Sequence, residues 1–456
     1  MEPSNKVIKI LTLVTKIFFI WLLLQFFLQT LVTYRFWRDG MLRKVIWMRK
    51  EIVIIGLIAF VWWYLWKQRR LKQFLEHFPL KNFARVFVGT LVLTFLVSVL
   101  INGGGVGIWI MSIRYSMIGF LIFMIFFAIT IVFFGAREIN LIKRYSRIIK
   151  ALLVISLCRR AMLWLMPNAL KFAGYNQWTF EGEVGSAPPA VYYTRYDQGL
   201  VRNQFVFERP ISRGFFLIAM RPLFFILCFK NKPLGQKFAR GSLYGLAILS
   251  TFSRAARGVW ILQTIILILA QFPRKYRKMA LKAFVPLILL FGVVTYFGQR
   301  QIITREFSNT GHFDGIATAF KLIGEKPLRG QWAGTAGPAS HQSVEVKAYN
   351  PENQYLQIRI EYGLLWFLGW LYLYAYLHYI AYRSYEEEKK SDDKLTKKRK
   401  LYGAIVFAFG VGILWLSIEW VVLHSFVDRM IVYPFVALFA IAYGLYRKDR
   451  HTTPLV

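Results

Sequence analysis

Apolar runs long enough to cross a bilayer recur along this chain, each closed by a short basic or polar break. They fall at about 8–32, 51–66, 86–103, 115–135, 148–166, 214–229, 240–253, 257–272, 281–298, 363–383, 401–420 and 429–446. A lipid-exposed backbone must satisfy its own hydrogen bonds, so the pattern predicts an all-α integral membrane protein of about twelve transmembrane helices. The first run carries Lys9 and Lys16 near its start. It is longer than a signal-peptide core and lacks a small-residue cleavage site, so a retained span is expected there. The short runs on either side of Arg254 predict a helical hairpin with a charged turn.

Two long polar inserts interrupt the pattern and set the expected organisation. Residues 1–166 are N-terminal transmembrane helices and 167–213 an outer loop. Residues 214–298 are central transmembrane helices with a Ser-Arg turn, 299–362 an outer insert, and 363–456 C-terminal transmembrane helices. Within the second insert, Ala317, Ala319, Phe320, Leu322 and Ile323 follow His312 at mostly helical spacing, an amphipathic helix that Pro327 and Gly330 end. A loop rich in Gly, Ala, Ser and Pro then carries His341. Pro351 restarts a helix that is expected to run through Glu361, Tyr362 and Gly363, uninterrupted, into the apolar run that follows.

Charge orients the chain. The segments 67–85, 137–147, 230–240, 274–282, 383–400 and 447–450 are rich in Lys and Arg, and twelve spans place them all on one side with the N-terminus, the cytoplasm. Both polar inserts and the turn at Arg254 then face outward. The stretch 34–50 disagrees, being basic at Arg35, Arg38, Arg43, Lys44, Arg49 and Lys50 yet placed outside as a loop. The net charge of +36 on a chain that is 56% hydrophobic sits in short clusters between apolar runs, which is a topology signal and not a nucleic-acid surface. Cys158 and Cys228 imply neither a disulfide framework nor a thiolate metal site. Residues 384–400, with Glu386, Glu387 and Glu388 before Lys397, Lys398 and Lys400, read as a solvated cytoplasmic linker.

Four segments carry a family likeness. Glu325-Lys326-Pro327-Leu328-Arg329-Gly330, Asn353-Gln354-Tyr355-Leu356-Gln357 and Glu361-Tyr362-Gly363-Leu364 resemble the signature of the O-antigen ligase and polymerase superfamily, and Thr251-Phe252-Ser253-Arg254 resembles its Thr-x-Ser-Arg-Gly element. The likeness covers residues 243–368; upstream only hydropathy and Ile113-Arg114-Tyr115 agree. It implies a GT-C-like membrane glycosyltransferase in the bacterial cytoplasmic membrane. Such an enzyme joins an undecaprenyl-diphosphate-linked glycan to a glycan or lipid acceptor on the outer face, with no cofactor and no metal.

That chemistry needs a base for the acceptor hydroxyl and positive charge on the departing diphosphate. Arginine suits the second role, because its fork donates two parallel hydrogen bonds and stays charged. Arg254 matches the Ser-Arg element, Arg257 aligns to it with a shift, and Arg114 lies in an apolar stretch where an unpartnered charge is costly. Interfacial arginines reaching for headgroups are the competing reading. His312 stands where the family has a diphosphate-contacting arginine, so either a protonated His312 or Arg305 supplies that charge. Asn353 and Tyr355 are carried over as further substrate contacts. The family's histidine before the asparagine is here Glu352, an adequate general base when partly desolvated; His341 is the other candidate, and a carboxylate at a helix start is the bland alternative. A second class of function, a polytopic transporter of polysaccharide or lipid-linked glycan, also accounts for spans with intramembrane arginines. The two inserts are unequal and show no pseudo-symmetric halves, which favours the enzyme.

The orientation is open to test. Single cysteines introduced at Gly182 and Ser343 are expected to react with an impermeant thiol probe in intact cells; labelling only after permeabilisation would reverse the topology.

Overall fold

The structure is a computed structural model that describes residues 7, 9–15, 17, 40–69, 71–134, 139–165, 210–229, 233–251, 253–271, 306–342, 349–390, 397–419, 421 and 429–450. Among them the regular elements are all helical: α1 (Gly40–Lys67), α2 (Leu71–His77), α3 (Lys81–Phe95, continuing as a π turn over Leu96–Ile101), α4 (Val106–Ser116), α5 (Ile118–Phe133), α6 (Ile139–Leu165) and α7 (Pro210–Phe224, with a π turn over Phe225–Phe229). There follow α8 (Leu234–Leu249), α9 (Arg254–Gln271), α10 (Glu306–Glu325), a 3-10 turn (Gly337–Gln342), α11 (Gln354–Lys390), α12 (Lys397–Glu419) and α13 (Arg429–Arg450).

Helix α13 forms the centre. An apolar helix with no polar face has to be surrounded, and from Ile431 to Leu445 every side chain of α13 is buried. Helix α5 is buried almost as completely and packs along it, while α12 and α7 close other sides. Phe123 meets Phe439 at a centroid distance of 5.2 Å, Phe127 meets Tyr443 at 5.3 Å and Phe409 meets Phe435 at 5.1 Å. Small residues set the closest approaches: a Cβ on Gly444 would stand 2.7 Å from Thr130, and one on Gly410 2.3 Å from Ala381. Lys448 closes the end of α5 by donating to the carbonyl oxygens of Ile131 at 3.3 Å and Phe134 at 2.8 Å.

Polar side chains inside the bundle are tied across helices. Arg221 of α7 donates to the Trp260 carbonyl at 3.0 Å, Gln263 at 3.3 Å and Thr264 at 2.7 Å on α9, and Gln263 returns a bond of 3.0 Å to the Ile218 carbonyl. A guanidinium this deep is tolerated because three oxygens of α9 accept from it.

Among the described residues, five helices are long and apolar enough to cross a membrane, or six when α4 and α5 count as one span bent by 62°. The five are α3 with its π turn, α7 with its π turn, α11, α12 and α13. The expected spans at 148–166, 240–253 and 257–272 fold as parts of α6, α8 and α9, outside that set; 281–298 and most of 8–32 lie outside the described residues.

Three expectations are corrected. The basic stretch 34–50 is helical from Gly40 onward, because α1 begins there and runs straight into the apolar segment. The acidic end of the 384–400 linker is helix as well: α11 extends to Lys390, Glu388 pairs with Arg399 at 2.8 Å and Glu387 accepts from the Tyr446 hydroxyl at 3.0 Å. Charge placed there holds α11 to α12 and α13, where a solvated linker was expected. The apolar run at 115–135 breaks at Met117, so Arg114 belongs to the last turn of α4 and not to the following helix.

Gly444→Val is expected to overpack the α5–α13 crossing by about 1–3 kcal/mol and to lower the melting temperature of the detergent-solubilised protein; an unchanged melting curve would show that this crossing does not limit stability.

Candidate functional site

The polar insert is bolted to the bundle at a break in α11. Gly363 has φ 76° and ψ −167°, a conformation open almost only to glycine. The helix that was expected to run uninterrupted is therefore opened at this residue. Its Leu364 N–H, which in a continuous helix would donate to the Ile360 carbonyl, donates instead to the Leu328 carbonyl at 2.9 Å; the Ile360 carbonyl accepts from the Gln331 N–H at 2.7 Å. The segment 328–331 thus fills both halves of one broken helical hydrogen bond. Such an approach leaves no space for side chains: a Cβ on Gly363 would lie 2.0 Å from the Leu328 oxygen, and one on Gly330, with φ +70°, 2.5 Å from the Gly363 nitrogen. The Asn102 amide adds a bond of 3.2 Å to the Gly330 carbonyl from the end of α3.

The loop continues against α4. Ser98 accepts from the Ala333 N–H at 2.6 Å, and Gly334 and Gly337, both at positive φ, sit where a Cβ would strike Ile108 and Gln357. These contacts surround the fully buried Glu361. Its carboxylate accepts from the Gly334 N–H at 3.0 Å and from the Ser112 hydroxyl at 2.7 Å, and the Ala336 amide and Gln357 side chain also bear on it. Tyr362 donates to Ser112 at 2.5 Å. Neighbours that donate are what a buried carboxyl requires. A cleft between α3 and α11, lined by Thr94, Ser98, Arg329, Glu361, Tyr362 and Trp366 among others, opens beside this cluster.

From there the chain returns through the 3-10 turn, which Ser340 secures: its hydroxyl donates to the Gly337 carbonyl at 2.7 Å and accepts from the Tyr349 N–H at 3.1 Å. The Tyr349 hydroxyl bonds the Gly315 carbonyl on α10, and burial pushes that phenol up to about 12. Residues 349–351 therefore lie along α10, beside Gly315.

This docking brings two of the sequence-derived candidates together. His312 Nδ1 lies 2.6 Å from Glu352 Oε2, with the side chains 34% and 44% exposed. Glu352 holds a left-handed backbone, φ +49°, a conformation that costs a residue with a Cβ about 1–3 kcal/mol. Its N–H is taken by the Asn350 side chain at 3.2 Å.

The other candidates are placed as follows. Asn353 caps α11, its Oδ1 accepting from the Leu356 N–H at 3.0 Å while its Nδ2 donates to the Val421 carbonyl at 2.8 Å. Tyr355 donates to the Ser417 carbonyl at 2.9 Å. Both hold the start of α11 to the end of α12. Arg254 opens α9 and is exposed, whereas Arg257, one turn on, is half-buried and donates to the Leu249 carbonyl at the end of α8 at 3.1 Å. Arg114 lies 3.9 Å from the Met111 sulfur. The backbone of His341 belongs to the 3-10 turn, and its side chain lies outside the described residues, as do Arg305 and residues 167–209 of the loop expected at 167–213; the last four residues of that loop are instead the first turn of α7.

Sequence reading passed over Ser98, Ser112 and the carboxyl shell of Glu361. The spacing of Gly330, Gly334 and Gly337 was the available signal for that cradle. Buried Arg213, donating to Ser250 at 3.2 Å beside the Ser-Arg turn, was counted only as part of a loop.

Fold and site together define an all-helical protein with membrane-type spans whose polar insert is locked into a helix break. A scan against protein-family models finds no match, and a search of curated proteins finds none either.

Gly363→Ala is expected to destabilise the protein by at least about 1–3 kcal/mol, read as a lower melting temperature, while Gly311→Ala, in open space on α10, stays near wild type. Equal melting of the two variants would mean that the break can close without cost.

Proposed function

We propose that this chain is a membrane glycosyltransferase of the O-antigen ligase and polymerase type. In this reading about twelve spans in a GT-C-like arrangement cross the cytoplasmic membrane of a bacterium, and the insert 299–362 works on the outer face. The donor is a glycan on undecaprenyl diphosphate, and the acceptor is a glycan or lipid hydroxyl. One observation supports the reading above the others: two of the segments that carry the family likeness, around Gly330 and Gly363, interlock through backbone hydrogen bonds, and Glu352, the position where the likeness expects the base, lies against His312.

The step is a displacement at the anomeric carbon. The acceptor oxygen forms its bond to that carbon as the bond to the diphosphate oxygen breaks, the electron pair leaves with the diphosphate, and the acceptor proton passes to a base at the His312 and Glu352 pair. Charge grows on the leaving diphosphate, and an arginine stabilises it there more than in the ground state. Arg254 takes that role because it matches the Ser-Arg element and is exposed at the start of α9, whereas Arg257, one turn on, is half-buried.

Deleting the gene is expected to accumulate lipid-linked glycan, detectable by mass spectrometry, as single repeat units for a lost polymerase or long chains for a lost ligase. Arg254→Lys keeps charge but loses the fork, so complementation with it should fail by on the order of 100-fold in transfer with normal membrane insertion. An unchanged pool of lipid-linked glycan on deletion would overturn the reading.

A further inference from the structure

Glu352 is the residue at the position where a base is expected, but the structure does not leave its carboxylate facing outward alone. It faces the ring of His312 at 2.6 Å, through Nδ1. An ionised carboxylate can only accept, so the proton in that contact sits on Nδ1; whenever the ring is neutral, Nε2, on its far edge, is then the unprotonated acceptor. We propose that His312 is the proton acceptor of the transfer reaction and that Glu352 is its positioning residue, a division of roles that rests on the glycosyl-transfer reading above.

The backbone argues the same way. Glu352 sits in a left-handed conformation between Pro351 and the capping Asn353, with its N–H held by Asn350. A carboxylate that merely favoured a helix N-terminus could do so from an ordinary extended backbone. The strained turn instead sends this side chain across to α10. Meanwhile α10 is held in register by Tyr349 on Gly315, three residues from His312 and so on an adjoining face of the same helix. Both partners are thus fixed by contacts in which their own side chains take no part.

The proton balance is complete. As the acceptor oxygen bonds the anomeric carbon, its proton goes to His312 Nε2, and the diphosphate departs with the electron pair of the broken bond. The imidazolium that results is stabilised by the carboxylate already in contact with it, and it returns its proton to water before the next turnover.

The test combines a tautomer measurement with kinetics on the full chain in nanodiscs. With nitrogen-15 labelled histidine, and His312→Gln to assign the signal, wild type is expected to show His312 protonated at Nδ1 and bare at Nε2. Glu352→Gln should disturb that pattern. In transfer assays His312→Gln and Glu352→Gln should each lose on the order of 100-fold or more in kcat with little change in KM. Added imidazole should restore turnover to His312→Ala but not to Glu352→Ala, a response that a purely structural pair would not give. If His312→Gln retains near-normal kcat while Glu352→Gln is inactive, Glu352 is itself the base and the proposal is overturned. A wild-type His312 protonated at Nε2 overturns it equally. The tautomer is read without any donor, so these failures are distinct from a wild-type protein that shows the expected tautomer but transfers no glycan, which would overturn the transferase reading and with it the roles assigned here.

Discussion

One broken helical hydrogen bond holds the polar half of this molecule in place. Opening α11 between Ile360 and Leu364 exposes a carbonyl and an N–H that, buried and unpaired, would each cost about 1–3 kcal/mol. The segment 328–331 supplies the missing partners, Leu328 with its carbonyl and Gln331 with its N–H. The exchange works only because Gly330 and Gly363 carry no side chains at the contact. Once it is made, the following loop has little choice. It must pass beneath α4, where Ser98 and the Glu361 carboxylate take its N–H groups, and turn back through Ser340 to Tyr349.

The bundle below supplies the rigid base that such a lock requires. Helices α5 and α13 are buried on nearly all sides and meet through aromatic pairs and through Gly444 against Thr130. Apolar side chains remain exposed on α3, at Val88, Val92 and Leu100, and on α11, at Leu365 and Leu368, as suits surfaces that face lipid. Between apolar helices in lipid the hydrophobic effect gives little preference for contact, so close packing of small residues and cross-helix hydrogen bonds such as those of Arg221 carry the association.

Strain and polarity are concentrated where the insert meets this base. The left-handed Glu352, the carboxyl of Glu361 inside a shell of donors, and the glycines at 330, 334, 337 and 363 all lie between α10 and the start of the apolar part of α11. Conformations of this kind persist when the surroundings over-determine them, and they cluster where groups must be aimed. Here the group aimed is a carboxylate, and its target is an imidazole.

Much of this was legible in the chain. Apolar run length fixes helices that can cross a bilayer, because the bilayer has a fixed thickness and no hydrogen bonds to offer, and α3, α7, α12 and α13 fall where those runs lie. The amphipathic helix beginning at His312 and ended by Pro327 was also legible, although the structure starts it earlier, at Glu306, and closes it at Glu325. What periodicity could not show is the break at Gly363, since a glycine inside a helical pattern reads the same whether the helix passes through it or opens to admit another segment. Nor could it pair His312 with Glu352, or separate Arg254 from Arg257: forty residues divide the first two, and the second pair, one turn apart, are told apart by burial, Arg254 being exposed and Arg257 half-buried. Local pattern records what each residue would do among its neighbours in the chain, whereas partners for buried polar groups are supplied by segments far away in it, and only the tertiary structure brings those segments together.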